Sequence, residues 1–276
     1  MNKKSTIYKF FPCLYMAFFF MPVLFTGHNA FAEDYKNLMR KGIETFNMAY
    51  NNWDEKQFQE SLDLFKKASL EGRKDGLAEY WAGTAHFFLS QYYLFTNEEP
   101  FDRKKGIENA KNGIDILTKA IEMAPDFSES YALRGVLRGI LIKMKPSSVF
   151  SQGRKVGKDR EKALALDNLN PRVHYLTGTS FWHAPEILGG RDKALEHLFE
   201  AEKLFEREAH TSKDKLLPSW GRSTCLAFIG DVLMTRKEES RAFDYYKKAL
   251  DVNPVDPLAL RGLGNRNGHK DSNNHE

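Results

Sequence analysis

Apolar residues recur at helical spacing along almost the whole chain, and this pattern constrains the fold more than any other feature. No stretch alternates between polar and apolar residues for long enough to indicate a strand. The clearest unit lies between Ser223 and Pro254. Its apolar and small positions are Leu226, Ile229, Gly230 and Leu233 on a first helix, then Ala242, Tyr246 and Ala249 on a second. The pattern predicts antiparallel helix pairs and an all-α protein.

A glycine at a close helix crossing, followed by alanines where the two helices touch, is typical of the tetratricopeptide repeat, which is about 34 residues long. The same order of residues can be traced upstream. Second helices end near Pro125 and Pro171, and crossing glycines stand at Gly135 and Gly178. Because each pair has an apolar face that only a neighbouring pair can cover, we expect the pairs to stack into an α-solenoid. Five or six such pairs fit into roughly 230 residues.

The N-terminus is predicted to be an export signal. Three lysines within residues 1–9 precede an apolar run over residues 10–25, and an Ala-Phe-Ala sequence ends at Ala32. Signal peptidase recognises this pattern, which predicts cleavage after Ala32 and a periplasmic mature protein. The alternative is an uncleaved N-terminal helix that anchors the protein in the membrane. Pro22 interrupts the apolar run, which is already shorter than the ~20 residues that a membrane span needs.

The two ends define the predicted domain organisation. The signal peptide covers residues 1–32, the helical repeat domain covers 33–262, and 263–276 form a disordered tail, because residues 264–276 carry no apolar side chain to bury. The mature chain retains 38 Lys and Arg against 37 Asp and Glu, since three of the 41 basic residues lie in the signal. Export and this nearly neutral charge argue against a nucleic-acid partner. Cys225 is then the one remaining cysteine, and we expect it to be buried rather than reactive.

The segment 181–195 departs most clearly from a regular repeat, because its turn is about four residues too long. Pro185 ends the first helix, and Gly189 and Gly190 permit a positive φ before Asp192 caps the second. Two glycines before a helix can also bind an anion through free backbone amides. The phosphate-binding loop, however, needs a Gly-Lys-Ser/Thr run after a strand, and that run is absent. We therefore interpret this turn motif as structural.

An exported chain with irregular tetratricopeptide pairs and an Ala-Pro-Glu-Ile-Leu-Gly-Gly-x-x-x-Ala-Leu turn resembles the periplasmic T-component proteins of TRAP-type solute transporters. It is also similar to uncharacterised bacterial tetratricopeptide proteins that share this turn. The resemblance covers most of residues 40–255, and its distinctive part is residues 184–195. It implies a role in recruiting a periplasmic protein, with a transporter component as one candidate. T components are typically lipoproteins, whereas Cys13 here lacks the preceding small residues of a lipoprotein signal.

No catalytic or metal-binding set emerges from the residue pattern. His174, His183 and His197 are the clustered histidines of the predicted repeat domain, and their spacing does not place them on one helical face. No His-Glu-x-x-His or Cys-x-x-Cys sequence accompanies them. The sequence therefore predicts a protein that is not an enzyme and uses no metal or cofactor.

The concave face of the solenoid is the predicted binding surface, because the first helices line it and carry many large side chains. Aromatic rings beside an arginine suit a peptide or an apolar small solute. The alternative for each ring is packing between pairs. Counting from Gly178 and Gly230, the predicted concave residues are Arg172, Tyr175, Thr179, Trp182, Phe228 and Asp231.

Two functional hypotheses follow from this surface. The first is an exported, non-enzymatic scaffold that recruits a periplasmic protein partner or peptide, with a TRAP-type transporter component as one candidate. The second is a small-ligand module that holds an organic acid or a lipid in its aromatic groove, or in a pore through a homo-oligomer. An enzyme whose site is assembled from distant helices stays open as a third.

Overall fold

The computed structural model describes residues 26–71, 74–95, 101–183, 190–209 and 214–272. Within these residues the chain forms eleven α-helices and one short 3-10 helix, with no strand, so the predicted all-α fold is confirmed. The helices are α1 Thr26–Asn52, α2 Glu55–Leu70, α3 Leu77–Phe95, α4 Arg103–Met123, α5 Ser128–Met144, α6 Val149–Leu166, α7 Pro171–Trp182, α8 Gly190–Glu208, α9 Arg222–Thr235, α10 Glu239–Val252 and α11 Pro257–Ser272.

Consecutive helices of the described chain pack against each other as five pairs, and the pairs stack in chain order. The pairs are α1/α2, α3/α4, α5/α6, α7/α8 and α9/α10, and α11 covers the last of them by contacting both α9 and α10. Between pairs, α2 packs on α3, α4 on α5, α5 on α7, and α8 on α9. This stack of helix pairs is the α-solenoid that the sequence predicts.

Short polar side chains begin several of these helices. The Asp54 carboxylate accepts a hydrogen bond from the Gln57 backbone N–H at the start of α2. The Asn170 side chain accepts from the backbone N–H groups of Arg172 and Val173, and Pro171 follows it at the first position of α7. The Asn170-Pro171 pair, which marks the end of a repeat in the sequence, therefore also starts the next helix. The Asn170 side chain accepts hydrogen bonds from backbone N–H groups that the first turn of a helix leaves unpaired.

Glycine allows the two helices of a pair to approach closely. In the α7/α8 pair, a Cβ added at Gly178 would lie 2.7 Å from Leu198 Cγ and 3.0 Å from the Ala194 carbonyl oxygen. The α9/α10 pair crosses in the same way, with Tyr246 over Gly230. A side chain larger than hydrogen at these positions would push the helices apart.

Replacing Gly178 with alanine is expected to lower the free energy of unfolding by about 1–3 kcal/mol, because the added methyl group meets a backbone oxygen that cannot rotate away. The matched control is Gly139→Ala on α5, where an added Cβ has no atom within 4 Å. That variant should gain about 0.5–1 kcal/mol from the better helix propensity of alanine. Urea unfolding followed by circular dichroism measures both, and shifts of the same sign would contradict a close crossing at Gly178.

The first and last pairs touch, so the solenoid closes on itself. The Tyr50 hydroxyl on α1 lies 2.8 Å from Ser223 Oγ and 3.2 Å from Thr224 Oγ1 on α9. The connection between α8 and α9 contacts α3, where Trp81 Nε1 donates to the Leu216 carbonyl oxygen at 2.9 Å. Residues 214–221, here called the inner segment, therefore lie on the concave side of α3.

The helices also extend into both predicted terminal segments. Helix α1 begins at Thr26 and continues through Ala32, while residues 1–25 lie outside the described part of the chain. Helix α11 runs to Ser272, so it enters the segment 263–276 for which the sequence predicts disorder. Signal cleavage and export stay predictions. Among the described residues, none of the helices combines the length and the apolar character that crossing a membrane requires.

Candidate functional site

A cavity of about 660 Å³ lies where the first and last pairs meet. One wall comes from α3 and the end of α1, another from α7 and α9, and the third from the start of α11. Its aromatic lining consists of Trp53, Phe87, Phe88, Tyr92, Tyr175, Trp182 and Phe228. A volume of this size is in the range of small-molecule sites, roughly 300–1,000 Å³.

The aromatic rings divide into a buried layer and an accessible layer. Phe88 and Tyr175 are buried, whereas Trp53, Trp182 and Phe228 are half-buried and face the open volume. Trp53 packs edge-on against Phe88 with ring centroids 6.1 Å apart. Trp182 packs edge-on against Phe228 at the same spacing of 6.1 Å. The neighbouring rings hold these two indoles in place, and each indole keeps a surface that a ligand can contact.

Among the described residues, three charged side chains line the cavity, and two of them are cationic. Arg261 Nη2 on α11 lies 2.8 Å from Asp231 Oδ2 on α9, and Asp231 Oδ1 accepts a hydrogen bond from the Tyr246 hydroxyl. Burial raises the pKa of the Asp231 carboxyl, and the charge of Arg261 opposes that rise. Partial burial lowers the pKa of Lys143, and Arg261 lowers it further. The cavity therefore combines aromatic walls with an excess of positive charge, which suits an apolar molecule that carries an acid group.

Comparison with known proteins identifies the fold. No protein-family model matches the sequence, and no curated protein sequence matches it either. Among solved structures, TTC0263, a thermophilic tetratricopeptide protein of Thermus thermophilus, matches with a TM-score of 0.56 at 18% identity, over 83% of this chain and 97% of that one. The chain has the tetratricopeptide-repeat fold. The HusA haemophore from Porphyromonas gingivalis matches with a TM-score of 0.58 at 19% identity, over 73% of this chain and 94% of that one.

At these identities the likeness extends to the tetratricopeptide fold alone. The resemblance to TRAP-type T components is not confirmed by these matches.

Of the six residues predicted for the concave face, five line the cavity and one does not. Tyr175, Thr179 and Trp182 on α7 line the cavity, and so do Phe228 and Asp231 on α9. Their role in binding stays a prediction. Sequence reasoning missed the other cavity residues, because the closure of the solenoid brings them from distant helices. These are chiefly Trp53 at the end of α1, Lys143 at the end of α5, and Leu258 and Arg261 on α11.

Arg172 is the exception, because it is buried and does not lie on the cavity, contrary to the prediction from the sequence. Its side chain is only 1% exposed, because the inner segment covers it. Its guanidinium donates to Glu129 Oε1 at 2.9 Å, to Glu208 Oε2 at 2.9 Å, and to the Trp220 carbonyl oxygen at 3.0 Å. Arg172 therefore connects α5, α7, α8 and the inner segment through buried ion pairs and does not face the cavity.

The same buried network fixes the inner segment to α3. Trp220 Nε1 donates to the Tyr80 hydroxyl at 3.0 Å, and that hydroxyl donates to Glu129 Oε2. Asn170 Nδ2 also donates to Glu129, at 2.9 Å. Trp220 and Leu216 both hydrogen-bond to α3, so the inner segment occupies part of the concave side of this helix.

Of the three histidines that cluster in the sequence, His174 and His197 contact each other in the structure. His174 Nε2 donates to the Asn168 carbonyl oxygen at 2.9 Å, and its Nδ1 shares a hydrogen bond of 3.1 Å with His197 Nδ1. Burial lowers the pKa of His197 to about 4, with the charges of neighbouring basic groups adding to that effect. Hydrogen bonds within the protein therefore account for both rings. His183 lies instead on the cavity.

Other candidate groups for chemistry are structural or lie outside the described residues. Within the described part of the chain, no cluster of three or more His, Cys, Asp or Glu could hold a metal ion. Cys225 is buried, and burial raises the pKa of its thiol. In the turn motif, Pro185 and Gly189 lie outside the described residues, and Gly190 is the buried first residue of α8.

Proposed function

We propose that this chain is a non-enzymatic binding protein whose cavity holds a small amphipathic molecule bearing an acid group. The observation that carries this proposal is the occupation of the concave face by the inner segment. In an open solenoid the concave face extends along all the repeats and can accept an extended peptide. Here Trp220 covers part of α3, with its ring 5.4 Å from that of Phe88. The space that is left is an aromatic cavity of about 660 Å³.

The lining of the cavity defines the class of ligand. The accessible faces of Trp53 and Trp182 favour a flat ring system or an acyl chain, because burying apolar surface against aromatic rings is favourable. Lys143 and Arg261 favour a carboxylate or phosphate at one end of that molecule. An organic acid and a lipid both belong to this class. Haem belongs to it as well, since haem is flat and apolar with two carboxylates, and one structure of similar fold is a haemophore.

Recruitment of a periplasmic protein is the second candidate, with a TRAP-type transporter component as one such partner. The stacked helix pairs support it, because repeat solenoids present broad surfaces to partners. The partner would dock away from the concave side of α3, where the inner segment lies. Export through residues 1–32 belongs to this proposal too, as does a periplasmic site of action.

Titration of the purified protein with haemin and with palmitate, followed by tryptophan fluorescence, tests the small-ligand proposal. We expect saturable binding with a Kd on the order of micromolar. Trp182→Ala should weaken binding about tenfold, because it removes an apolar wall. Lys143→Gln should weaken the binding of palmitate about tenfold and leave the binding of methyl palmitate unchanged, because the ester carries no charge.

Matched controls separate the cavity from general surface effects. Phe101→Ala removes a half-exposed ring elsewhere, and Lys36→Gln removes an exposed charge on α1, so neither should change the Kd. Saturable binding that is insensitive to both Trp182→Ala and Lys143→Gln would place the ligand outside the cavity. No saturable binding of either probe, together with a stable complex between this chain and a protein partner, would replace the small-ligand proposal with the second candidate.

A further inference from the structure

Positive charge is concentrated in the third helix pair, although the predicted mature chain is nearly neutral. Residues 128–166, which form α5 and α6, contain nine Lys and Arg against three Asp and Glu. Two of the three acids are used internally. Asp159 is paired with Arg134 at 2.7 Å and with Arg138, and Glu129 is paired with Arg172. Arg134 and Arg138 are used in the same internal pairs, and Lys143 lines the cavity. The exposed charges left on this pair are five basic side chains, Lys145, Arg154, Lys155, Lys158 and Lys162, and one acid, Glu161.

An exposed aromatic residue stands at the start of the same basic helix. Phe150, in the first turn of α6, is 95% exposed, and its neighbour Val149 is 47% exposed. Arg154 and Lys158 follow Phe150 by four and eight residues, so they share its helix face, and both are exposed. Lys155 is exposed beside them. These five residues are here called the α6 patch.

The neighbouring pair extends the basic surface toward the tip of α6. Arg103, at the start of α4, donates a hydrogen bond to the Met144 carbonyl oxygen at the end of α5. This contact places the first turn of α4, with exposed Lys104 and Lys105, beside the turn that leads into α6. Exposed basic side chains of α4 therefore lie beside the connection between α5 and α6.

We propose that the α6 patch docks the protein on an anionic lipid surface. Phe150 and Val149 enter the boundary between headgroups and acyl chains, and Arg154, Lys155 and Lys158 contact the lipid phosphates. The charge favours a polyanionic partner, and the exposed phenyl ring selects a lipid surface among such partners. A projecting ring gains little from the polar exterior of a nucleic-acid duplex or an acidic protein, but it gains free energy by entering a bilayer interface. This surface is separate from the cavity and independent of the proposed ligand.

Sedimentation with vesicles tests the docking surface. The full-length protein should sediment more strongly with vesicles that contain phosphatidylglycerol than with vesicles of phosphatidylcholine alone, and added salt should weaken the difference. Arg154→Gln with Lys155→Gln should lower the partition coefficient on phosphatidylglycerol vesicles about 30-fold, since each basic residue near an anionic surface contributes about fivefold. Phe150→Ser should lower it about tenfold.

The matched controls change the same kinds of residue elsewhere. Leu70→Ser removes an apolar side chain that is 83% exposed at the end of α2, and Lys36→Gln with Lys41→Gln removes two exposed charges from α1. Neither should change vesicle binding.

A second readout reports on residue 150 itself and is independent of the apolar N-terminus. With Phe150→Trp, brominated lipids should quench the additional tryptophan emission, while Leu70→Trp should show no such quenching. Equal partitioning of the α6 patch variants and the control variants would overturn the proposal. So would an unquenched Phe150→Trp, or binding of this surface to heparin without binding to anionic vesicles.

Discussion

Replacing Arg172 with methionine is expected to lower the free energy of unfolding by about 3–5 kcal/mol. The substitution keeps most of the side-chain volume but removes the cation that Glu129 and Glu208 share. The Glu129 side chain is only 3% exposed, so its carboxylate would stay buried without a positive partner. Chemical denaturation followed by far-ultraviolet circular dichroism measures the loss.

Two further variants test whether the lost charge is the cause. Arg154→Met removes an exposed arginine and should change the free energy of unfolding by no more than about 0.5 kcal/mol. Combining Arg172→Met with Glu129→Gln should recover part of the loss, because the second substitution removes one of the stranded charges. A cost below about 1 kcal/mol for Arg172→Met would show that the buried network contributes little to stability.

Replacing Trp220 with alanine is expected to cost about 3–5 kcal/mol, the range for large-to-small changes of buried aromatic residues. Trp220 is 3% exposed, and its ring lies 6.4 Å from that of Tyr175. Its Nε1 donates to the Tyr80 hydroxyl at 3.0 Å, so the variant would also leave that hydroxyl without this donor. We expect the inner segment to lose its anchor on α3, which faster proteolysis within residues 214–221 would report.

Trp182→Ala is the informative comparison for Trp220→Ala. Trp182 is half-buried at the cavity, so its loss should cost about 1 kcal/mol of stability and act mainly on ligand binding. Trp220→Ala should therefore lower mainly the stability of the protein, and Trp182→Ala should lower mainly its affinity for ligand. A stable Trp220→Ala protein with an intact inner segment would contradict the structural role that we assign to Trp220.

The effects of Arg172 and Trp220 are not independent. The Arg172 guanidinium donates to the Trp220 carbonyl oxygen at 3.0 Å, so both residues act on the position of the inner segment. We expect the double variant to lose less stability than the two single variants added together, because residues in one network share the interactions that they lose.

The candidate site was predicted from the sequence only in part. Counting from the crossing glycines placed Tyr175, Trp182 and Phe228 together on the concave face, because positions within one helix are fixed by its regular geometry. In the structure these three residues line the cavity. The same count placed Arg172 on the binding surface. It failed there because the count describes an open groove, whereas the inner segment covers that part of α7.

The sequence by itself determined the helix pairs and their order in the stack. Those features depend on apolar spacing, crossing glycines and capping residues within about 34 residues of chain, where local geometry dictates which side chains meet. Only the tertiary structure decided that the solenoid closes. Small rotations between successive pairs add along the stack until Tyr50 reaches Ser223, which is 173 residues away. The accumulated rotation determines the shape of the cavity, the charges that line it and the burial of Arg172. No single repeat contains the information for this closure.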